Sequence, residues 1–273
     1  MTTAVSDWEE MELLILVKAY PSVSMKYGEA VCVAGVRLDT PTPQWVRLFP
    51  VGFRDLPEHQ QFGKYDVVAL RAQRHSTDRR AESYRPDLGS IRVGQHLPAG
   101  GPWQARRLWV EPLLGLTMCQ LHRGRKGGGA GPSLAVVRPA EVHDMSVRDA
   151  DPWTDGQLAT LNQANLLSTK SKLEKPAYAF AYRWRCEEPG CNGHTQGIAD
   201  WELGQAYRAW GRKGYDVIAA IRGKWLTEMC AKNRETMFFV GDQHKRPGQF
   251  MVLGTFYPEY RPNAGQLTLD LAA

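Results

Sequence analysis

The sequence predicts an α+β fold in which a β-rich first half, a barrel or curled sheet, precedes a smaller mixed α+β domain. Three patterns carry that expectation. Short β-branched runs bounded by turn residues recur through the first hundred residues, the stretch 177–185 alternates strictly between two faces, and 200–232 carries apolar residues at helical spacing. With 273 residues, 43% of them hydrophobic, the chain can bury one large core or two smaller ones.

Strands are expected at 13–18, 30–37, 45–49 and 66–71, separated by Tyr20-Pro21, Thr40-Pro41-Thr42-Pro43 and Phe49-Pro50. Two more are expected at 108–111 and 134–137. Between them 123–132 reads Arg-Gly-Arg-Lys-Gly-Gly-Gly-Ala-Gly-Pro, too little apolar surface to offset its chain entropy, and so a mobile basic loop. It is not a phosphate loop, because that pattern needs Lys-Ser/Thr after the last glycine and here Lys126 comes first.

The run Asp151-Pro152-Trp153-Thr154-Asp155 signals a helix start, with a short helix over 157–167 and a lysine-bearing linker over 168–175. In 177–185, Tyr178, Phe180, Tyr182 and Trp184 share one face and Arg183 and Arg185 the other. Helices follow at 200–210 and 216–232, the second with Val217, Ile218, Ile221, Trp225 and Met229 on one side. Strands at 237–240 and 250–256 close the chain around a long turn, 241–248. The expected organisation is a β-rich domain (1–148), a helix and basic linker (149–175), a zinc-binding α+β domain (176–260) and a flexible tail (261–273).

The first twelve residues carry Asp7, Glu9, Glu10 and Glu12 and no basic residue, the opposite of a secretory leader, so a cytoplasmic location is expected. No run approaches the ~20 apolar residues of a membrane span. The net charge of +5 is uneven: residues 1–100 hold 12 basic and 12 acidic side chains, leaving 22 against 17 for 101–273. That excess favours a polyanionic partner, DNA or RNA.

Five irregularly placed cysteines do not make a disulfide framework. Cys32 and Cys119 stand in apolar surroundings and read as small buried hydrophobes. The others point to metal. Cys186, Cys191 and His194 lie within nine residues, with Pro189-Gly190 and Asn192-Gly193 between them to fold the backbone back, which is how zinc collects close ligands from one loop. Cys230 is the expected fourth ligand and His244 the reserve. Four protein ligands would make the site structural, and three would leave an open catalytic position.

Cationic residues that could neutralise phosphates are Arg71, Arg74, Arg79 and Arg80, then Arg106 and Arg107, then Arg123, Arg125 and Lys126, and finally Lys245 and Arg246. Asp78, Glu82 and Asp87 dilute the first group, which could instead be an internally paired loop.

The chain ends with a turn-rich spacer and then Gln266-Leu267-Thr268-Leu269-Asp270-Leu271. Alternate leucines in an extended peptide point to one side. The segment resembles the bacterial sliding-clamp-binding motif in its Gln-Leu-x-Leu-x-Leu form, matched by Gln266, Leu267, Leu269 and Leu271. Asp270 stands where the five-residue form has phenylalanine. The resemblance implies recruitment to the replication clamp.

These features favour a DNA-binding zinc protein of repair, replication or defence against foreign DNA. One alternative is a DNA-processing enzyme (a nuclease, or a base-removing or base-modifying activity) with acidic groups Asp200 and Glu202 near the zinc loop, although helix starts favour such residues as caps. No deaminase, H-E-x-x-H or G-x-S-x-G signature is present. A protein-binding scaffold is the other alternative.

Overall fold

The computed structural model describes residues 7–24, 26–78, 80–126, 129–166, 173–244 and 246–261, with the backbone alone at 164–166. The first half contains β1 (Glu9–Lys18), β2 (Ser22–Ser24), β3 (Gly28–Arg37), β4 (Trp45–Val51), β5 (Asp66–Arg74), β6 (Ser83–Pro86) and β7 (Arg92–His96). Five of them close a barrel in the order β1-β3-β4-β6-β5, with β5 returning to β1 and β4–β6 the parallel pair. The four strands expected between residues 13 and 71 are therefore present, and the barrel is closed.

The run Leu13-Leu14-Ile15-Leu16-Val17 is apolar on both faces because both faces are covered. Leu13 and Ile15 point into the barrel with Val33, Leu48 and Leu70. Leu14 and Leu16 point outward into a second core with Val36, Val136, Phe239 and Leu253. That outer layer is a three-stranded sheet of β8 (Leu134–Val137), β12 (Met237–Gln243) and β13 (Arg246–Phe256), in the order β13-β12-β8. Its far face, with Phe238, Val240 and Val252, packs on Tyr182 and Trp184 of a third layer. The third layer is the sheet of β9 (Pro139–Asp149), β10 (Tyr178–Cys186) and β11 (His194–Gly197), ordered β11-β10-β9. Tyr182 stacks on Phe238 at 4.7 Å between ring centroids, which fixes the two sheets in register.

The helices are α1 (Gly100–Val110), α2 (Met118–Arg125), α3 (Asp155–Leu166), α4 (Trp201–Arg212) and α5 (Val217–Ile221), which runs on as a π-helical segment, Arg222–Glu228. Trp201, the first residue of α4, sits at one end of the barrel against Phe53, at 5.4 Å between ring centroids. No helix among the described residues is long and apolar enough to cross a membrane.

Four local expectations change. Residues 108–111 are the end of α1 and a 3-10 turn instead of a strand, because helical spacing puts Arg106, Arg107 and Val110 inward while Leu108 is left exposed. The basic loop is partly helix: Arg123 and Arg125 belong to α2, and Arg125 donates to the carbonyls of Gly129 and Gly131, folding the following chain back. Gly127 and Gly128 lie outside the described residues. The 241–248 turn is shorter than expected, since Gln243 pairs with Arg246. Strand pairing also crosses the expected boundary at residue 148, with β8 joined to β12 and β9 to β10.

Candidate metal centre and adjacent cleft

Thr117 caps α2, its hydroxyl accepting from the Gln120 amide while the Gln120 side chain accepts from the Thr117 amide. This sets Cys119 in the first helical turn, with its sulfur 3.6 Å from Cys186 Sγ. Cys186 ends β10 and Cys191 lies in the following loop, where Gly190 (φ 77°) and Gly193 (φ 96°) adopt a conformation that favours glycine. The Gly193 amide donates to Cys191 Sγ at 3.4 Å. His194 opens β11 opposite Trp184, whose ring lies 5.0 Å away.

Cys119, Cys186, Cys191 and His194 thus converge, with all ligand atoms within 4.8 Å of one another, and this cluster could hold a metal ion. His194 Nε2 lies 3.2 Å from Cys191 Sγ, 3.5 Å from Cys186 Sγ and 3.7 Å from Cys119 Sγ, and the sulfurs of Cys186 and Cys119 are 3.6 Å apart. A tetrahedral ion with metal–sulfur bonds of about 2.3 Å and a metal–nitrogen bond of about 2.05 Å would set the sulfur–sulfur edge near 3.8 Å and the sulfur–nitrogen edges near 3.6 Å. The donor set fits. Without a cation it resists ionising fully: burial, then the neighbouring Cys186 and Cys191, push the Cys119 thiol up to about 12. Burial and the adjacent His122 hold His194 below its ordinary value, leaving a neutral imidazole at neutral pH.

The fourth residue of the cluster is therefore Cys119 and not the expected Cys230. Cys230 donates instead to the Trp225 carbonyl at 3.4 Å, and burial pushes its thiol up to about 12. His244, the reserve, pairs with Asp78 at 3.4 Å. Asp200 and Glu202 have structural partners: Asp200 caps α4 through the Glu202 amide, and both carboxylates accept from buried Lys64 at 2.9 Å.

Beside the cluster lies an open cleft of about 540 Å³ between the 193–196 stretch and the start of β13, lined by His122, His194, Thr195, Gly248 and Gln249 among others. His122 stacks on His194 at 5.7 Å, and its Nδ1–H donates to the Gly248 carbonyl at 3.1 Å. Exposed cations flank it. Arg185 adjoins Gly193, Lys126 follows Arg125 where that residue packs on Gly248, and Arg246 reaches Gln249 Oε1 at 3.4 Å. Among the described residues these three cations form no ion pair.

Most other expected phosphate contacts are engaged internally. Arg80 and Arg125 converge on the buried carboxylate of Asp242, and Arg107 pairs with Glu111 and Glu235. Arg106 is buried over the Tyr65 ring at 3.8 Å and donates to the Leu97 carbonyl. Arg71 pairs with Asp87, Arg74 lies over Tyr84 and donates to the Ala81 carbonyl, and Arg123 forks onto Glu188. Arg79 and Lys245 lie outside the described residues, as do the tail residues Gln266, Leu267, Leu269 and Leu271. Arg185 was absent from the expected contacts, although its place on the polar face of the alternating strand was readable.

Residues 115–271, more than half of the chain, match the family described as "Domain of unknown function (DUF8757)". The chain belongs to the DUF8757 family. In this DUF8757 protein, residues 9–112 also match "Domain of unknown function (DUF8758)", so the barrel and the half with the Cys/His cluster fall under separate descriptions. No curated protein matches the chain. A solved structure described as murine DNA binding protein bound with ds DNA aligns over 93% of this chain and 97% of its own, at 7% identity and a TM-score of 0.30, a likeness too loose to carry any argument.

Proposed function

We propose that this DUF8757 protein binds nucleic acid through the cleft beside its Cys119–Cys186–Cys191–His194 centre, and that the resident metal is zinc. Three thiolates and one imidazole at tetrahedral edge lengths suit zinc, and four protein ligands close the coordination sphere, making the ion structural. Bound there, zinc would neutralise the thiolates and lock α2, the end of β10 and the start of β11 into one wall of the cleft. The wall's own residues then do the binding.

The observation that carries the nucleic-acid reading is the trio Lys126, Arg185 and Arg246, exposed and outside any ion pair among the described residues, around a polar cleft whose side bears stacked imidazoles. Cations free of internal partners are the ones available to phosphates. Small five-stranded barrels that bind oligonucleotides use an outer strand face. Here the outer face of β1, β3 and β4 is covered by the β8–β12–β13 sheet, which leaves the cleft as the better surface.

Three phosphate contacts predict that log K falls with log salt at a slope of about −2 to −3. Fluorescence anisotropy with labelled single- and double-stranded DNA measures it. The double variant Lys126→Glu, Arg246→Glu should remove most binding, and a salt-independent or unaffected affinity would discard the reading. The tail resemblance supports a finer proposal, that the sliding clamp recruits the protein to DNA under repair, replication or attack. Deleting 266–273 should then abolish clamp binding without altering DNA affinity, and unchanged clamp binding removes that proposal.

A further inference from the structure

A second cavity, of about 300 Å³, lies where the chain leaving β1, the 150–157 segment, β10 and α4 meet. Its walls are the rings of Tyr20, Trp153, Tyr178 and Phe180, and its floor includes Ala199 and Gly204. The Tyr20 ring is seated on α4 so closely that a Cβ at Gly204 would lie 2.2 Å from it. The volume stands at the small end of the range for ligand sites, about 300–1,000 Å³. A single planar ring system fits that space better than a peptide strand does.

The charge around the cavity narrows the choice further. Lys175 Nζ lies 4.5 Å from the centroid of the Trp153 ring and donates to the Asp151 carbonyl. Arg208 donates to the Tyr20 hydroxyl at 3.3 Å, and that hydroxyl donates to the Glu174 carbonyl. The carboxylate in the lining, Asp200, is buried and held by Lys64 and the α4 amide. Two cations at the rim repel an amine or a methylated lysine, and favour an aromatic ring that carries a negative charge beside it. A nucleotide has that chemistry.

We propose that this cavity receives one unpaired nucleobase of a bound strand, stacked on Trp153. The base takes the place of the Lys175 ammonium on the indole face, and the released ammonium pairs with the neighbouring phosphate. Ala199 follows Thr195 of the first cleft by four residues, at most about 13 Å of extended chain. One strand can therefore reach both. The inference rests on the nucleic-acid reading for the strand, but base capture has its own readout.

The test uses the full chain and two probes: 2-aminopurine nucleoside alone, and a short single-stranded DNA with one internal 2-aminopurine. Wild type should quench both probes. Trp153→Ala should lose the quenching and bind the strand about tenfold more weakly, as removal of one base–aromatic stack does. Tyr178→Ala provides a second variant, and thermal melting confirms that each is folded; Trp153→Phe should restore most of the signal. Quenching of the nucleoside by wild type and not by Trp153→Ala upholds the cavity even if no strand binds, in which case the cleft reading alone fails. Equal behaviour of wild type and both alanine variants, or no quenching of either probe by wild type, overturns the cavity, and strand affinity that still depends on Lys126 and Arg246 then leaves the cleft reading standing.

Discussion

Replacing Cys119 with alanine separates the candidate metal cluster of the structure from the one expected from sequence spacing. Structural zinc contributes on the order of 10–16 kcal/mol of binding free energy through four ligands, so each ligand is worth roughly 3–4 kcal/mol, and losing one should weaken metal binding by about 10²–10³-fold. Cys119 Sγ is 3.6 Å from Cys186 Sγ and 3.7 Å from His194 Nε2, and all four candidate ligand atoms lie within 4.8 Å of one another. The Thr117–Gln120 capping box does not involve the Cys119 side chain and should keep the helix start intact. Competition against a chromogenic chelator gives the affinity, and elemental analysis gives the stoichiometry. Cys230→Ala is the control and should keep a full metal complement, because its sulfur faces the Trp225 carbonyl. Metal lost from the Cys230 variant and retained by the Cys119 variant would refute the assignment.

Other perturbations probe the frame around the site. The Asp242 side chain is fully buried and accepts from Arg80, Arg125 and the Gly248 amide, so Asp242→Asn should cost roughly 3–5 kcal/mol by leaving Arg125 without a counter-ion and Arg80 with Asp78 alone; a urea midpoint shift equivalent to under about 1 kcal/mol would contradict that role. Burial opposes ionisation of Asp78, but hydrogen bonds from Arg80 and Ser83 and the Arg80 charge outweigh it and hold the carboxyl well below the usual range. Below about pH 4 the unfolded chain therefore binds the proton that the native chain refuses, stability falls as the pH drops further, and Asp78→Asn should flatten that acid limb in pH-dependent melts. Gly204→Ala drives a methyl group into the Tyr20 ring and should destabilise by about 1–3 kcal/mol, while a neutral melting temperature would show that the ring is free to move aside.

Much of the fold was legible where a local period reported local burial. The alternating strand at 177–185 is β10, and the double-sided apolar run in β1 marks a strand covered on both faces. Partners distant in sequence were not legible. Cys119 stands 67 residues before Cys186 in an apolar setting, so it read as core; the available clue was a Thr-x-x-Gln capping pattern that places a cysteine in the first turn of a helix. Arg71 and Arg80 pair with the nearby Asp87 and Asp78, as an internally paired loop would, but the longer-range partners of the arginines could not be read. Arg80 and Arg125 belong to Asp242, 162 and 117 residues further on, and nothing near them in the chain announces that carboxylate. By contrast, Cys186, Cys191 and His194 were readable because one loop supplies all three.

The sheet β8–β12–β13 gives one face to the barrel and the other to the aromatic strand, so the second of the two named segments supplies the wall that closes the core of the first. A chain severed near residue 113 would leave Leu14, Leu16 and Val36 bare on one piece and Val136, Phe239 and Leu253 bare on the other. Each fragment would present a greasy surface with a ready match on its counterpart. Co-expression of the two pieces should rescue solubility that neither has alone, and any ancestor that carried them as separate chains would have worked as an obligate pair.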